Sequence, residues 1–222
     1  MQPADIIQRT EQYVREVLGH DNTGHDWWHT KRVHNLSLHI AEEEAKKGGR
    51  VDLFVVQLAA LLHDIADWKF QNGDDLAGPQ KALEWLTSLD TDKNAISHVC
   101  QIIEGISFKG AGVSDAMPTI EGAIVQDADR LDALGAVGIA RCFATGVKLG
   151  NIIHDPETSP TMHKTVEEYK KLRSTSVNHF YEKLFLLKGR MKTEPGRKLA
   201  EKRHHYMEVF IERFLAEWNG KE

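Results

Sequence analysis

The sequence predicts an all-α chain, and three observations carry that prediction. Apolar residues recur at spacings of three and four along nearly every periodic stretch. Strict alternation over strand lengths is hard to find, and glycines and prolines close several of the stretches. The first helix covers about Pro3–Leu18 and ends at Gly19. The second runs roughly Trp27–Lys47 and stops at Gly48-Gly49. His29, Val33, Leu36 and Ile40 follow at steps of four, three and four, so His29 lies on its buried stripe. Asp52 caps the third helix, LFVVQLAALLHDIAD, which is apolar on almost every side and is expected at the centre of the bundle. After the loop QNGDDLAGP come helices near Gln80–Leu89 and Asp92–Ile106, then the loop SFKGAGVSDAMP. Thr119 opens one long helix through IEGAIVQDADRLDALGAVGIARCFA. Gly150–Pro160 is irregular, with Pro156 and Pro160 as breakers. Two long amphipathic helices, about Thr165–Leu187 and Gly196–Trp218, complete the chain. With no internal repeat, low-complexity tract or clear linker, one helical domain over residues 1–222 is the simplest organisation.

Bulk properties remove several function classes. An apolar share of 41%, a charged share of 27% and 6 prolines among 222 residues are ordinary for a globular protein and far from a disordered one. A formal net charge of −5 argues against a nucleic-acid coat or an anionic membrane surface as main partner. The opening MQPADIIQRTEQYVREVLG has scattered charges and no secretory apolar run, and no later stretch approaches a membrane span, so a cytoplasmic location is expected. Cys100 and Cys142 sit among apolar neighbours without CxxC spacing and read as buried thiols in a reducing compartment.

The sharpest chemical signal is His63-Asp64 at the end of the apolar LAALL run. Burying an ionised carboxylate without a partner costs several kcal/mol, so a cation or a dense hydrogen-bond network belongs beside it. A satisfied core His–Asp pair is the structural alternative. Asp67 would project near Asp64 if the helix continues. A second cluster, QDADRLDAL, holds Asp127, Asp129 and Asp132 in a largely apolar helix, where three close acids repel one another. One stripe turns Asp127 inward and a neighbouring face carries Asp129 and Asp132; periodicity does not choose between them, and Arg130 or Arg141 can neutralise some of the three. HDWWH (His25–His29) is a poor zinc-protease motif, because Asp26 stands where a glutamate base is needed and Gly24-His25-Asp26 reads as a helix entrance. His25 is then a capping or pocket residue, and His29 is free to meet His63, Asp64 and one acid of QDADRL. Two imidazoles and two carboxylates from three helices suit Mn²⁺, Fe²⁺, Zn²⁺ or Mg²⁺ with positions left for water and phosphate oxygen.

HTKRV (His29–Val33), LAALLHDIAD (Leu58–Asp67) and VQDADRLDAL (Val125–Leu134) resemble, in order and separation, the three pieces of the HD-domain metal-dependent phosphohydrolases. The resemblance centres on about residues 25–135. HFYEKLFLLKGRMKT and AEKRHHYMEVFIERF resemble a bacterial subgroup of small HD hydrolases, some of them nucleotide pyrophosphohydrolases, which extends it over nearly the whole chain. The resemblance implies an HD-domain helical bundle with a metal site at its centre and C-terminal helices over about 165–218 packed on it. It implies His29, His63, Asp64 and Asp129 as ligands, the last as the aspartate of Ala128-Asp129-Arg130, with Mn²⁺ favoured. Asp67 matches the acid that orients or deprotonates the attacking water in such enzymes. His34 and His39 match no ligand position and read as surface residues or residues behind the ligands, and His204-His205 as a solvated helix face. His98 reads as packing or solvent-facing, with a second ion as the alternative.

The implied reaction is hydrolysis of a phosphate ester or anhydride, with Asp64 or Asp67 accepting the proton. Lys109 in SFKGAG, Lys69, Arg32 and Arg130 are the candidates for holding an anionic substrate, Lys109 first because its glycines let backbone approach phosphate. Trp27, Trp28 or Trp68 can stack on a base or simply pack. The expected substrate is a small nucleotide, foremost a nucleoside triphosphate cleaved to monophosphate and pyrophosphate. A 5′-nucleotidase or phosphodiesterase is the neighbouring enzyme class, and a non-catalytic metal- or nucleotide-binding regulatory module the alternative of another class. Neither nucleic acid nor membrane is expected as partner, and a homodimer is compatible with the pattern.

Overall fold

The computed structural model describes residues 1–19, 24–66, 75–171 and 174–221, and all regular structure among them is helical. The coordinates divide into two compact units, Met1–Phe108 with Ser114–Asp129, and Lys109–Val113 with Arg130–Glu222.

The first unit contains α1 (Pro3–Leu18), α2 (Trp27–Lys46), α3 (Leu53–Leu62), α4 (Ala77–Ser88), α5 (Lys93–Ile106) and most of α6 (Ile120–Asp132). Its helix starts are chemically marked. The Asp26 carboxylate accepts the His29 backbone N–H at 2.7 Å, Asp52 accepts from Phe54 and Val55, and Asp92 accepts from Asn94 and Ala95. Leu58 through Leu62 are each fully buried, and α3 packs against α1, α2 and α5. At a rough 1.5–3 kcal/mol for each fully buried leucine, that helix anchors the unit. The Gln126 amide donates to the Gly105 carbonyl at 3.2 Å and ties α6 to the end of α5. Glu121 accepts the Asp52 N–H at 2.9 Å, and His98 Nε2 lies 2.9 Å from the Thr119 hydroxyl, so the start of α6 is fastened to α3 and α5.

The second unit is built on α7 (Gly135–Lys148), α8 (Val166–Lys171), α9 (Ser176–His179), α10 (Phe185–Leu187) and α11 (Glu194–Trp218). A π-helical turn, Phe180–Leu184, joins α9 to α10, and a 3₁₀ turn, Lys188–Arg190, follows. Phe143, Phe180, Phe210 and Phe214 form an aromatic cluster with centroids 6.1–6.2 Å apart, which holds α7, the π turn and α11 together. Arg130 donates to the Arg190 carbonyl at 2.8 Å, and the Arg190 guanidinium in turn binds the carbonyls of Ala111 and Val113.

Four expected elements differ in extent. The helix expected to run on through His63-Asp64 ends at Leu62, and residues 63–66 form a turn with a tightened Ile65 N–H to Leu62 carbonyl bond of 3.1 Å. The helix expected near Gln80 starts at Ala77, since Pro79 in a first turn lacks only an N–H that would have no helical partner. The single helix expected through residues 120–144 is two, α6 and α7. Gly135 sits at φ +73°, and a Cβ on Gly138 would lie 2.2 Å from the Ala133 carbonyl, so the chain turns where only glycines fit. The helix expected over Thr165–Leu187 is interrupted: α8 ends at Lys171, and Thr175 begins anew by accepting the Asn178 N–H at 3.0 Å.

Candidate metal centre

Four side chains converge in the first unit, each placed by a local device. His29 stands in the first turn of α2, held by the Asp26 cap. His63 follows α3 directly, and its Nδ1 donates to the Ala60 carbonyl at 2.9 Å. That bond fixes the tautomer and turns a lone pair on Nε2 toward the centre. Asp64 comes next in the same tight turn, and Asp129 projects from α6.

His29 Nε2 lies 3.1 Å from His63 Nε2, 3.2 Å from Asp64 Oδ2 and 3.5 Å from Asp129 Oδ1. His63 Nε2 is 3.7 Å from both carboxylate oxygens. Donors held about 2.0–2.2 Å from one cation stand roughly 3.0–3.6 Å from their neighbours, which is close to this spacing. The hydrogen count points the same way. Two carboxylate oxygens and the His63 nitrogen only accept, and all three surround His29 Nε2, which has at most one hydrogen to share. A cation is what such a donor-poor cluster lacks, and the possible ligands fall into two triads that share His29: His29, His63 and Asp129, and His25, His29 and Asp64, either of which offers the imidazole and carboxylate donors a divalent ion takes. Burial works to raise the Asp64 pKa, but the adjoining His63 and His25 rings and the hydrogen bonds from His25 and His29 hold it well below the usual carboxylate range. The side chains of His29 and His63 are 0% and 1% exposed, against 13% for Asp64 and 29% for Asp129, so the imidazoles form the floor and solvent arrives on the carboxylate side.

The three acids of QDADRLDAL divide their work. Asp129 joins the histidines, and Asp132, almost fully buried, pairs with Arg141 at 3.2 Å. Asp127 is fully buried. Of the proposed anion-binding residues, Arg130 is buried and spends one nitrogen on the Arg190 carbonyl, whereas Arg32 and Lys109 are half-buried. Asp67, Lys69 and Trp68 lie outside the described residues. Trp27 is buried beneath Lys31, and Trp28 is exposed.

Several histidines stand elsewhere than expected. His34 is buried, with no hydrogen-bond partner of ordinary geometry on either ring nitrogen; the surface half of its expectation fails because its face of α2 turns inward. His204 is buried too, against the Phe185 ring and 3.2 Å from Glu208, so of these four histidines His39 and His205 are the two on exposed helix faces. Cys100 and Cys142 are half-buried free thiols, and burial pushes the Cys142 thiol up to about 12. His25, expected as a capping or pocket residue, makes a contact that no sequence pattern signals: its Nδ1 lies 2.7 Å from Asp64 Oδ2.

Comparison with known proteins agrees with this geometry. The family model described as HD domain matches residues 27–134, a span that contains all four converging residues. The chain is 36% identical over 209 residues to YpgQ of Bacillus subtilis, covering 92% of this chain and 91% of that one. YpgQ in its crystal complex with ADP superposes with a TM-score of 0.73 at 31% identity, covering 97% of this chain and 100% of YpgQ. An HD-superfamily hydrolase from Bacillus thuringiensis is 42% identical with a TM-score of 0.71, covering 98% and 99% of the two chains. A Lactobacillus plantarum protein of known structure is 33% identical with a TM-score of 0.88, covering 99% and 100%. None of the helices among the described residues is long and apolar enough to cross a membrane. With kinship over nearly its full length and a buried histidine–aspartate cluster within the matched span, the chain belongs to the HD-domain superfamily of metal-dependent hydrolases, on the YpgQ-like bacterial branch.

Proposed function

We propose that this chain is a nucleotide phosphohydrolase that cleaves a nucleoside triphosphate to the monophosphate and pyrophosphate, working in the cytoplasm as one HD-type domain. The observation that carries the proposal is the donor-poor meeting of His29, His63, Asp64 and Asp129, reached by solvent on its carboxylate side. The choice of a nucleotide is supported by the ADP in the YpgQ crystal complex.

In this proposal His29, His63, Asp64 and Asp129 hold the divalent ion, Mn²⁺ by preference. What such an ion supplies when bound is Lewis acidity toward water and toward a phosphate oxygen. Asp64 or Asp67 takes the proton released by the attacking water. His63 is kept in the tautomer with its lone pair inward by the Ala60 carbonyl. Lys109, Lys69, Arg32 and Arg130 are proposed to hold the anionic part of the substrate. The partner is a small phosphorylated molecule rather than nucleic acid, and the active species is a monomer or a homodimer.

The test is incubation of the purified chain with Mn²⁺ and a nucleotide panel, with the phosphorus products resolved. Pyrophosphate and monophosphate from a triphosphate support the proposed bond. Orthophosphate from monophosphates would replace it with a 5′-nucleotidase, and opening of cyclic or dinucleotide diesters with a phosphodiesterase. No product from any nucleotide, with metal bound, would leave the non-catalytic regulatory module.

A further inference from the structure

Asp64 has a close neighbour that the four-residue ligand set does not explain. His25 Nδ1 lies 2.7 Å from Asp64 Oδ2, nearer than any of the ligand-to-ligand separations around His29 and His63, which run from 3.1 to 3.7 Å. The contact joins the entrance of α2 to the turn after α3, across 39 residues of sequence. His25 is placed by backbone chemistry on both sides. Gly24 before it takes φ +86°, a conformation that side chains disfavour, and Asp26 after it caps α2. Its ring stands edge-on to that of His29, with centroids 5.7 Å apart.

The oxygen that His25 contacts is the one facing the two inner imidazoles, 3.2 Å from His29 Nε2 and 3.7 Å from His63 Nε2. An ionised carboxylate oxygen carries lone pairs and no hydrogen, so in this pair Nδ1–H of His25 donates and Oδ2 accepts. One lone pair of Oδ2 is thereby engaged, and another stays directed at the centre. Without that bond, Asp64 could rotate about its side-chain torsions and exchange its two oxygens.

We infer that His25 is a positioning residue for Asp64: its Nδ1–H fixes which Asp64 oxygen faces His29 and His63. The inference rests on the metal centre proposed above but not on which phosphate bond is cut. Groups that hydrogen-bond to metal ligands typically govern 10–100-fold in metal affinity, which sets the size of the effect.

The experiment is calorimetric titration of Mn²⁺ into the full chain as wild type, H25A, H25N and H25Q, with the metal-free melting midpoint of each. Asparagine places an amide N–H about where Nδ1–H stands, and glutamine places it nearer the position of Nε2. H25A and H25Q are expected to bind Mn²⁺ about 10–100-fold more weakly. H25N should keep most of the affinity, and the metal-free midpoints should agree. Wild-type affinity in H25A would overturn the inference. So would H25N as weak as H25A, which would mean that the imidazole itself is needed rather than its N–H. If H25A does not fold, the contrast between H25N and H25Q decides alone. A wild-type chain that binds no Mn²⁺ breaks the metal centre itself, whereas wild-type binding with H25A unchanged breaks only the role of His25.

Discussion

His29 and His34 stand on the same helix, both buried, and only one of them belongs to a site. Around His29 Nε2, a histidine and two aspartates gather within 3.1–3.5 Å. His34 meets no hydrogen-bond partner of ordinary geometry, and burial, with help from the charge of Lys31, lowers its pKa. The side chains of Gln57 and Asn35 and the charge of Glu11 oppose that shift only in part. The acids of α6 repeat the lesson, with Asp129 facing two imidazoles while Asp132 is neutralised by Arg141. Burial of a polar group therefore marks a cost; convergence of further acceptors from other elements marks a site.

The largest effect that separates the two kinds of residue is expected at Asp64. Asp64→Ala removes the proposed ligand and one of the two proposed proton acceptors, and positioned acid–base groups alone contribute on the order of 10²–10⁴-fold. The kcat/KM for nucleotide hydrolysis should fall by at least that much, while circular dichroism stays that of a folded helical protein. Loss of fold without prior loss of turnover would instead make the cluster structural.

Asp132→Asn should do the reverse of Asp129→Asn. Breaking the Asp132–Arg141 ion pair, whose carboxylate is buried, costs about 3 kcal/mol, to be read from denaturant unfolding. Mn²⁺ binding to folded Asp132→Asn should persist. Asp129→Asn should keep the metal-free stability and lose the ion-dependent part, which at an ion concentration of a hundred times Kd is about 2.7 kcal/mol. If the two variants behaved alike, the division of labour along α6 would be wrong.

A smaller effect is expected at His34. Its folded-state pKa lies below the unfolded value of 6.5, so the unfolded chain binds the proton more readily. Stability is complete above that pH and falls as pH drops from there toward the folded-state value. His34→Leu should flatten this acid limb and, by removing an unsatisfied buried group, stabilise the protein by about 1 kcal/mol at pH 7. Unfolding curves at pH 7 and 5 measure both, and a destabilised variant would show that the imidazole is satisfied. The smallest effect belongs to Cys142, whose thiol at about 12 should resist alkylation in the folded protein at pH 8 and react after unfolding.

Much of this was legible in the sequence where local chemistry decides. Pro3, Asp26, Asp52 and Asp92 mark helix starts that the structure keeps, and of the stripe His29, Val33, Leu36 and Ile40 all are buried except Leu36, which is half-buried. The break between α6 and α7 was hidden because alanine and leucine carry the helical pattern across it, although Gly135 was there to be read. Periodicity left Asp127, Asp129 and Asp132 equal, since an isolated helix does not reveal which face meets His29 and His63. Resemblance singled out Asp129, and the coordinates bring Asp129 Oδ1 within 3.5 Å of His29. The His25 contact was out of reach for a related reason, as only the folded turn after α3 brings Asp64 to it.

The most direct measurement is an anomalous-scattering map of crystals grown with Mn²⁺. One strong peak is expected at coordination distance, roughly 2.0–2.2 Å, from His29 Nε2, His63 Nε2, Asp64 Oδ2 and Asp129 Oδ1. A saturated crystal with no peak among those four atoms, or with the ion bound only elsewhere, would contradict the shared metal centre.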